Sequence, residues 1–157
     1  MKKLNRLFAL AIGSLFAFSV QAQDAKVAAP AEGFFIRNGV AYYIKAGQVN
    51  PVPGVQDLGN GSSIDGRGVI KHADGSKSQL KYGEMATLSG VMSTNKVEEH
   101  IELQNGKAVV VTNGIVTPIA SGLKLSSGET VDEYGNVSNG TMIKVGEKID
   151  MNGSTVK

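Results

Sequence analysis

Short runs of alternating side chains, separated by glycine-containing turns, dominate the pattern along this chain of 157 residues. The run 40–45 (Val-Ala-Tyr-Tyr-Ile-Lys) places apolar side chains on both faces of a strand, because alternate strand residues point to opposite sides. Similar runs span 76–82, 107–112 and 141–145. Glycine recurs about every six to ten residues, which leaves no window for a helix of ordinary length. The pattern therefore predicts an all-β fold of short hairpins and meanders.

The positions of the hairpin turns are also predicted by the sequence. Asn-Gly favours tight hairpin turns, because both residues tolerate the positive φ that such turns require. This dipeptide begins at residues 38, 60, 105, 113, 139 and 152.

Two parts of the chain repeat one another. At a constant offset of 67 residues, Asn38-Gly39 recurs as Asn105-Gly106 and Asp65 recurs as Asp132. The stretch 80–84 matches 143–147 at an offset of 63. We therefore predict two tandem β-repeat units, 34–90 and 101–153, with a connector at 91–100 and a tail at 154–157. A unit of about 55 residues is marginal alone, so we expect the two to pack as a small sandwich or rolled sheet.

The first residues have the pattern of an export signal. Lys2, Lys3 and Arg6 precede an apolar run, which ends in the small-residue pattern Val20-Gln21-Ala22. The run is too short to span a bilayer. We predict a signal peptide at 1–22 that is cleaved after Ala22, a flexible lead-in at 23–33, and a periplasmic or secreted product that has no membrane contact after cleavage.

Composition and charge exclude several function classes. The chain has no cysteine, which excludes disulfides, thiolate metal sites and cysteine nucleophiles. The formal net charge is +2, and the excess positive charge lies in the export signal. The remainder is nearly neutral, so we predict no nucleic-acid partner.

The turn and strand positions resemble those of a bacterial family of domains of unknown function, number 6799. The similarity includes the Asn-Gly hairpins after residues 36 and 103, the Leu-x-x-Gly-x-x-Val type stretches at 58–64 and 125–131, and the closing segments 80–84 and 143–147. The resemblance implies an exported fold made of repeated modules. It implies no activity and no catalytic residue.

Catalytic patterns are missing from the sequence. A nucleophilic hydrolase needs an activated serine or threonine beside a base, and His72 and His100 are the two histidines. Neither histidine lies at a matched position of the repeat, and no Gly-x-Ser-x-Gly or phosphate-binding glycine motif occurs. We predict that the protein is not an enzyme and uses no cofactor.

One candidate metal site stands out. Glu98, His100 and Glu102 alternate, so a strand would place all three on one face, within reach of one divalent ion. The alternative is a solvated polar face, because Val97, Ile101 and Leu103 would lie on the opposite side.

Two adjacent aromatics form the second candidate site. Tyr42 and Tyr43 would point to opposite faces of a strand, so at least one ring is a candidate contact for sugar, peptide or protein. The alternative is a bulkier core in the first unit. We predict an exported, non-enzymatic structural or protein-interaction module with an unknown protein or cell-envelope partner. The alternative function is a small periplasmic protein that binds a carbohydrate or a metal ion.

Overall fold

The computed structural model describes residues 31–156, in which all regular structure is β-strand, so the all-β prediction is confirmed. The strands of the first half are β1 (Gly33–Arg37), β2 (Val40–Lys45), β3 (Gln48–Pro51), β4 (Val55–Asp57), β5 (Ser63–Asp65), β6 (Val69–Lys71), β7 (Lys77–Gln79), β8 (Glu84–Ala86) and β9 (Met92–Lys96). The strands of the second half are β10 (Glu99–Gln104), β11 (Lys107–Thr112), β12 (Ile115–Pro118), β13 (Leu123–Lys124), β14 (Thr130–Val131), β15 (Lys148–Ile149) and β16 (Thr155–Val156).

The two halves share one strand order. The first sheet has the order β3-β2-β1-β8-β9, and the second sheet has the order β12-β11-β10-β15-β16. Beside the first sheet stands a four-stranded sheet, β4-β5-β6-β7. In the second half its place is taken by the pair β13-β14 and two isolated bridges, Val131–Val137 and Asn136–Met142. All of these pairings are antiparallel, which short hairpin connections allow.

Each half has its own apolar core. The first core joins one face of the first sheet to the four-stranded sheet and contains Phe34, Ile36, Ala41, Val52, Ile64, Ile70, Leu80 and Ala86. The second core is built in the same way from Ile101, Ala108, Val110, Ile119, Leu125, Val131, Val137, Ile143, Ile149 and Met151. Burial of these side chains supplies the main driving force for each half.

Backbone hydrogen bonds repeat at the sequence offsets. Ala41 N donates to Gly66 O at 2.8 Å, and Ala108 N donates to Glu133 O at 2.9 Å. Within the turns, Asp65 Oδ1 accepts from Arg67 N and Val69 N, and Asp132 Oδ1 accepts from the N–H groups two and four residues later. The duplicated aspartates therefore cap turns.

Gly68 fills a place that no larger residue can take without adjustment. Its φ is +78°, and a Cβ there would lie 2.3 Å from Ile36 Cδ1. Gly135 repeats the arrangement against Leu103, at 2.8 Å from its Cδ2. These glycines let the turn approach the main sheet closely in both halves.

The strand boundaries differ from the predicted segments. The predicted connector 91–100 contains β9, which pairs with β8, and the predicted tail contains β16. Gly90 and Gly153, the predicted ends of the units, are turn residues inside these hairpins, with φ of +81° and +84°. Strand β1 begins at Gly33, the last residue of the predicted lead-in 23–33.

The predicted signal peptide, its cleavage after Ala22 and most of the lead-in lie outside the described residues. Within 31–156, no helix is long and apolar enough to cross a membrane.

Candidate functional site

The outer face of the first sheet packs against the second half. Phe35, Ile44 and Met85 are buried there and contact Val97 and Ile115, which come from the segment preceding β10 and from β12. This apolar cluster is separate from the cores of the two halves. It joins them, and we call it the junction.

A buried ion pair completes the junction. Arg37 at the end of β1 donates from Nε and Nη2 to Glu99 Oε1, at 2.9 and 2.5 Å. The exposed fractions of the two side chains are 6% and 2%. Thr112 Oγ1 accepts from Arg37 Nη2 and donates to Glu99 Oε1, each at 2.8 Å. The other carboxylate oxygen, Glu99 Oε2, is buried without a hydrogen-bond partner among the described residues. Because an unpaired buried charge is costly, separation of Arg37 from Glu99 within the folded protein is disfavoured.

Two aromatic side chains of the first sheet also contact the guanidinium of Arg37. The Arg37 guanidinium lies 4.7 Å from the ring centroid of Tyr42 and 5.7 Å from that of Phe35. The two rings are stacked on each other, with centroids 5.7 Å apart. Cation–π attraction therefore adds to the ion pair.

The sequence prediction missed this network. Arg37 and Glu99 are 62 residues apart, and neither belongs to a recognisable motif. The repeat carries one indication of the network, because Gln104 in the second half replaces Arg37. The glutamate is the same in both halves, with Glu32 at the place of Glu99. Glu32 Oε1 instead accepts from Ala46 N at 2.7 Å.

Tyr82, in the loop before β8, lies near the charged residues of the junction. Burial raises the pKa of the Tyr82 phenol, and the negative charges of Glu99 and Asp150 act in the same direction.

Near the junction, Asn38 Nδ2 donates to the Lys124 carbonyl, and Ser126 Oγ donates to Asn38 Oδ1 at 2.8 Å. Polar contacts from the first hairpin thus extend the junction to β13.

Tyr42 and Tyr43 do point to opposite faces. Tyr42 is half-buried at the junction, whereas Tyr43 packs on the first core and makes a tilted contact with Phe34, with ring centroids 6.3 Å apart. Tyr43 also lines a pocket of about 220 Å³ with Lys45 and Gln56. Both rings thus contribute to packing, and the predicted role in ligand or partner binding stays a prediction.

Of the predicted metal ligands, two lie together. His100 Nε2 is 3.3 Å from Glu102 Oε2, on the outer face of the second sheet. Glu98 precedes β10, and no group of three or more metal-ligating side chains occurs among residues 31–156. A hydrogen bond from Gln104 lowers the pKa of Glu102, and His100 adds to the effect. The metal site stays a prediction, which a zinc- or nickel-dependent rise in Tm that His100→Ala abolishes would support.

The outer face of the second sheet differs chemically from its counterpart in the first. Glu102, Gln104 and Lys148 stand where the junction has Phe35, Arg37 and Met85. Lys148 Nζ lies 3.8 Å from Glu102 Oε2, so this face carries an ion network in place of an apolar cluster.

One serine–histidine contact occurs in the β6–β7 hairpin. Ser78 Oγ and His72 Nε2 are 2.9 Å apart. A nucleophilic hydrolase pairs these groups, with a third group to orient the base. The carboxylate of nearby Asp74 accepts instead from the N–H and hydroxyl of Ser76, and these bonds lower its pKa. The contact therefore belongs to the hairpin's own hydrogen bonding.

The free edge of the first sheet is formed by β9. Four of its five side chains are exposed, including Met92 at 42%, and the preceding Val91 is 60% exposed. The register with β8 is irregular between the pairs Glu84–Lys96 and Ala86–Met92, which indicates a bulge. Within residues 31–156, no strand pairs with the outer side of β9. Asn95 N donates to Ser93 Oγ at 3.0 Å, and Val91 and Met92 form an apolar end.

Comparison with protein-family models, with curated proteins and with solved structures gave no match for the chain. The resemblance to domain family 6799 therefore stays a prediction that depends on the turn and strand positions alone.

Proposed function

We propose that the protein is an exported, non-enzymatic interaction module that binds a protein of the cell envelope along the β9 edge. The edge carries this proposal because a strand at the end of a sheet can pair with an extended segment of a partner. Its backbone would supply affinity, and the exposed Val91 and Met92 would supply an apolar contact. Export is supported by the pattern of residues 1–22.

The other sheet edges are less suitable. The opposite edge, β3, carries Pro51 and lies beside β12 of the second sheet. The strand that corresponds to β9 in the second sheet, β16, has two residues. Among the described residues, β9 is therefore the longest open edge strand. Its bulge disfavours indiscriminate pairing with flat strands, which suits a dedicated partner.

The junction supports the same proposal. An interaction module gains affinity when its surfaces are fixed before binding, because less conformational entropy is lost. Since Arg37 and Glu99 lock the two halves together, the β9 edge is held on a rigid support.

Photo-crosslinking tests the proposal in living cells. A photoreactive residue at position 94, in the exposed middle of β9, is compared with one at position 48 on β3 of the same sheet. We expect position 94 to give a discrete adduct with one envelope protein. Purified partner should then bind the mature protein, and Thr94→Lys should weaken binding by at least tenfold, whereas Gln48→Lys should not. Equal adducts from both positions, or no adduct at position 94, would contradict the proposal.

A separate experiment tests the prediction that the protein is not an enzyme. A serine-directed phosphonate probe is expected to leave the folded protein unlabelled. Labelling that Ser78→Ala or His72→Ala removes would instead identify an enzyme.

A further inference from the structure

A second open region lies on the other half, at the start of β13 and the turn 132–135. A pocket of about 510 Å³ is lined there by Ser121, Lys124, Thr130, Asp132, Glu133 and Tyr134 among others. The pocket is an open depression, and its wall combines one aromatic ring with hydroxyl, carboxylate and ammonium groups. The ring is that of Tyr134, which is 50% exposed.

The position of this ring is fixed by its surroundings. Tyr134 N donates to Asp132 Oδ1 at 2.8 Å, which closes the turn. Lys107 Nζ lies 3.8 Å from the ring centroid and 2.9 Å from Glu133 Oε2. The Lys107 ammonium lowers the pKa of Glu133, and Glu133 raises that of Lys107, so both groups stay charged near neutral pH. An aromatic side chain that is held before binding costs little entropy when it takes up a ligand.

The three residues that build this support are specific to the second half. At the 67-residue offset, the places of Lys107, Glu133 and Tyr134 are taken by Val40, Gly66 and Arg67. The turn itself is conserved between the halves, since Asp65 caps it just as Asp132 does. The repeated fold therefore does not require the ring, the lysine or the glutamate at these places.

A neighbouring pocket extends the region. It has a volume of about 450 Å³, shares Lys124 with the first and is otherwise lined by Asn38, Gly39 and residues 125–128. Asn38 comes from the first half, so the two pockets together follow the surface from the turn to the junction. A ligand of several linked units could occupy both.

We propose that this surface binds a neutral oligosaccharide, with one pyranose ring stacked on Tyr134. The apolar face of a sugar ring packs against an aromatic side chain, and its hydroxyls bond to carboxylate, ammonium and hydroxyl groups at the rim. Lys124, Asp132 and Glu133 line the pocket, and Lys107 pairs with Glu133 beside it, so the positive and negative charges balance. This balance favours an uncharged polyhydroxyl ligand over an anionic one. The site is independent of the β9 edge.

Titration of the ¹⁵N-labelled mature protein with chitotriose, cellotriose and maltotriose tests the proposal. We expect at least one of them to bind at millimolar concentration or below, with the shifts of amide signals concentrated at 120–135. Tyr134→Ala should weaken that binding at least tenfold, whereas Tyr134→Phe should retain it. Arg67→Ala changes the matching position in the first half, where the side chain is 84% exposed, and should leave binding unchanged.

Three results would overturn the oligosaccharide proposal. Failure of all three sugars to bind at millimolar concentration would overturn the proposal, as would shifts centred elsewhere on the protein. Unchanged binding by a Tyr134→Ala variant with a native-like spectrum would also overturn it. None of these results affects the β9 edge, which the crosslinking experiment tests separately.

Discussion

Arg37 and Glu99, which belong to different halves of the protein, form an ion pair buried at the junction, with both arginine donors on one carboxylate oxygen. No more than 6% of either side chain is exposed, and the Phe35 and Tyr42 rings lie against the guanidinium, so the pair has little access to solvent in the folded state. Removal of one partner therefore leaves an uncompensated charge, whereas removal of both does not.

The first prediction concerns this pair. We expect Arg37→Met to lower the free energy of unfolding by about 3–5 kcal/mol, because Glu99 stays buried without its partner. The double variant Arg37→Met/Glu99→Met should recover most of that loss. Urea unfolding measures both, and Gln104→Met is the control at the corresponding place in the second half. A double variant no more stable than Arg37→Met would contradict the assignment.

Tyr42 is expected to depend on the same arginine. Tyr42→Leu removes the ring beside the guanidinium and should cost about 1–2 kcal/mol, part of which is cation–π attraction. In the Arg37→Met background the cost should shrink, and Tyr42→Phe should be close to wild type in both. The four free energies of unfolding form a double-mutant cycle, and a coupling energy of zero would exclude the cation–π contribution.

Gly68 provides a test of the close approach between turn and sheet. Gly68→Ala places a Cβ against Ile36 and adds strain at positive φ. Gly75→Ala meets the same strain, at a φ of +84°, with nothing within 4 Å of the new Cβ. We expect Gly68→Ala to be about 1–3 kcal/mol more destabilising than Gly75→Ala, which is the cost of overpacking. Adding Ile36→Val should relieve part of it, and a purely additive double variant would argue against the contact.

The aspartates that cap the duplicated turns predict a pH dependence. Backbone donation from Val69 lowers the pKa of Asp65, and donation from Asn136 lowers that of Asp132. A carboxyl whose folded pKa is depressed stabilises the protein fully above its unfolded pKa of about 3.9, and this stabilisation is lost as pH falls through the folded pKa. Asp65→Asn and Asp132→Asn should therefore lower stability near neutral pH, with a difference from wild type that disappears in acid. A difference that is independent of pH would show that the charge is not involved.

Local features of the fold follow from the sequence, because they depend on residues close together in the chain. Asn38 and Asn105 adopt positive φ in their hairpins, as the Asn-Gly signal requires. The opposite orientation of Tyr42 and Tyr43 follows in the same way from the strand period. The edge strand β9 was not predicted, because its residues 92–96 are mostly polar and show no apolar alternation.

The sites were harder to predict for a physical reason. The partners of Arg37 and the walls of the Tyr134 pocket come from segments far apart in the chain, and only folding brings them together. Tyr134 stands in a turn, where an isolated aromatic has no periodic signal. Comparison of the two halves residue by residue would have indicated Arg37 and Tyr134, since Gln104 and Arg67 stand at the matching places.

The charged outer face of the second sheet has a consequence for assembly. A repeat whose outward surface matches the inward surface of the next one can add copies without limit, and such open head-to-tail contacts lead to fibres. A further copy stacked on this face would have to remove water from Glu102 and Lys148. It would also meet Gln104 at the place where the junction has Arg37 to pair with Glu99. The residues at these three positions therefore disfavour the stacking of a further sheet on this face.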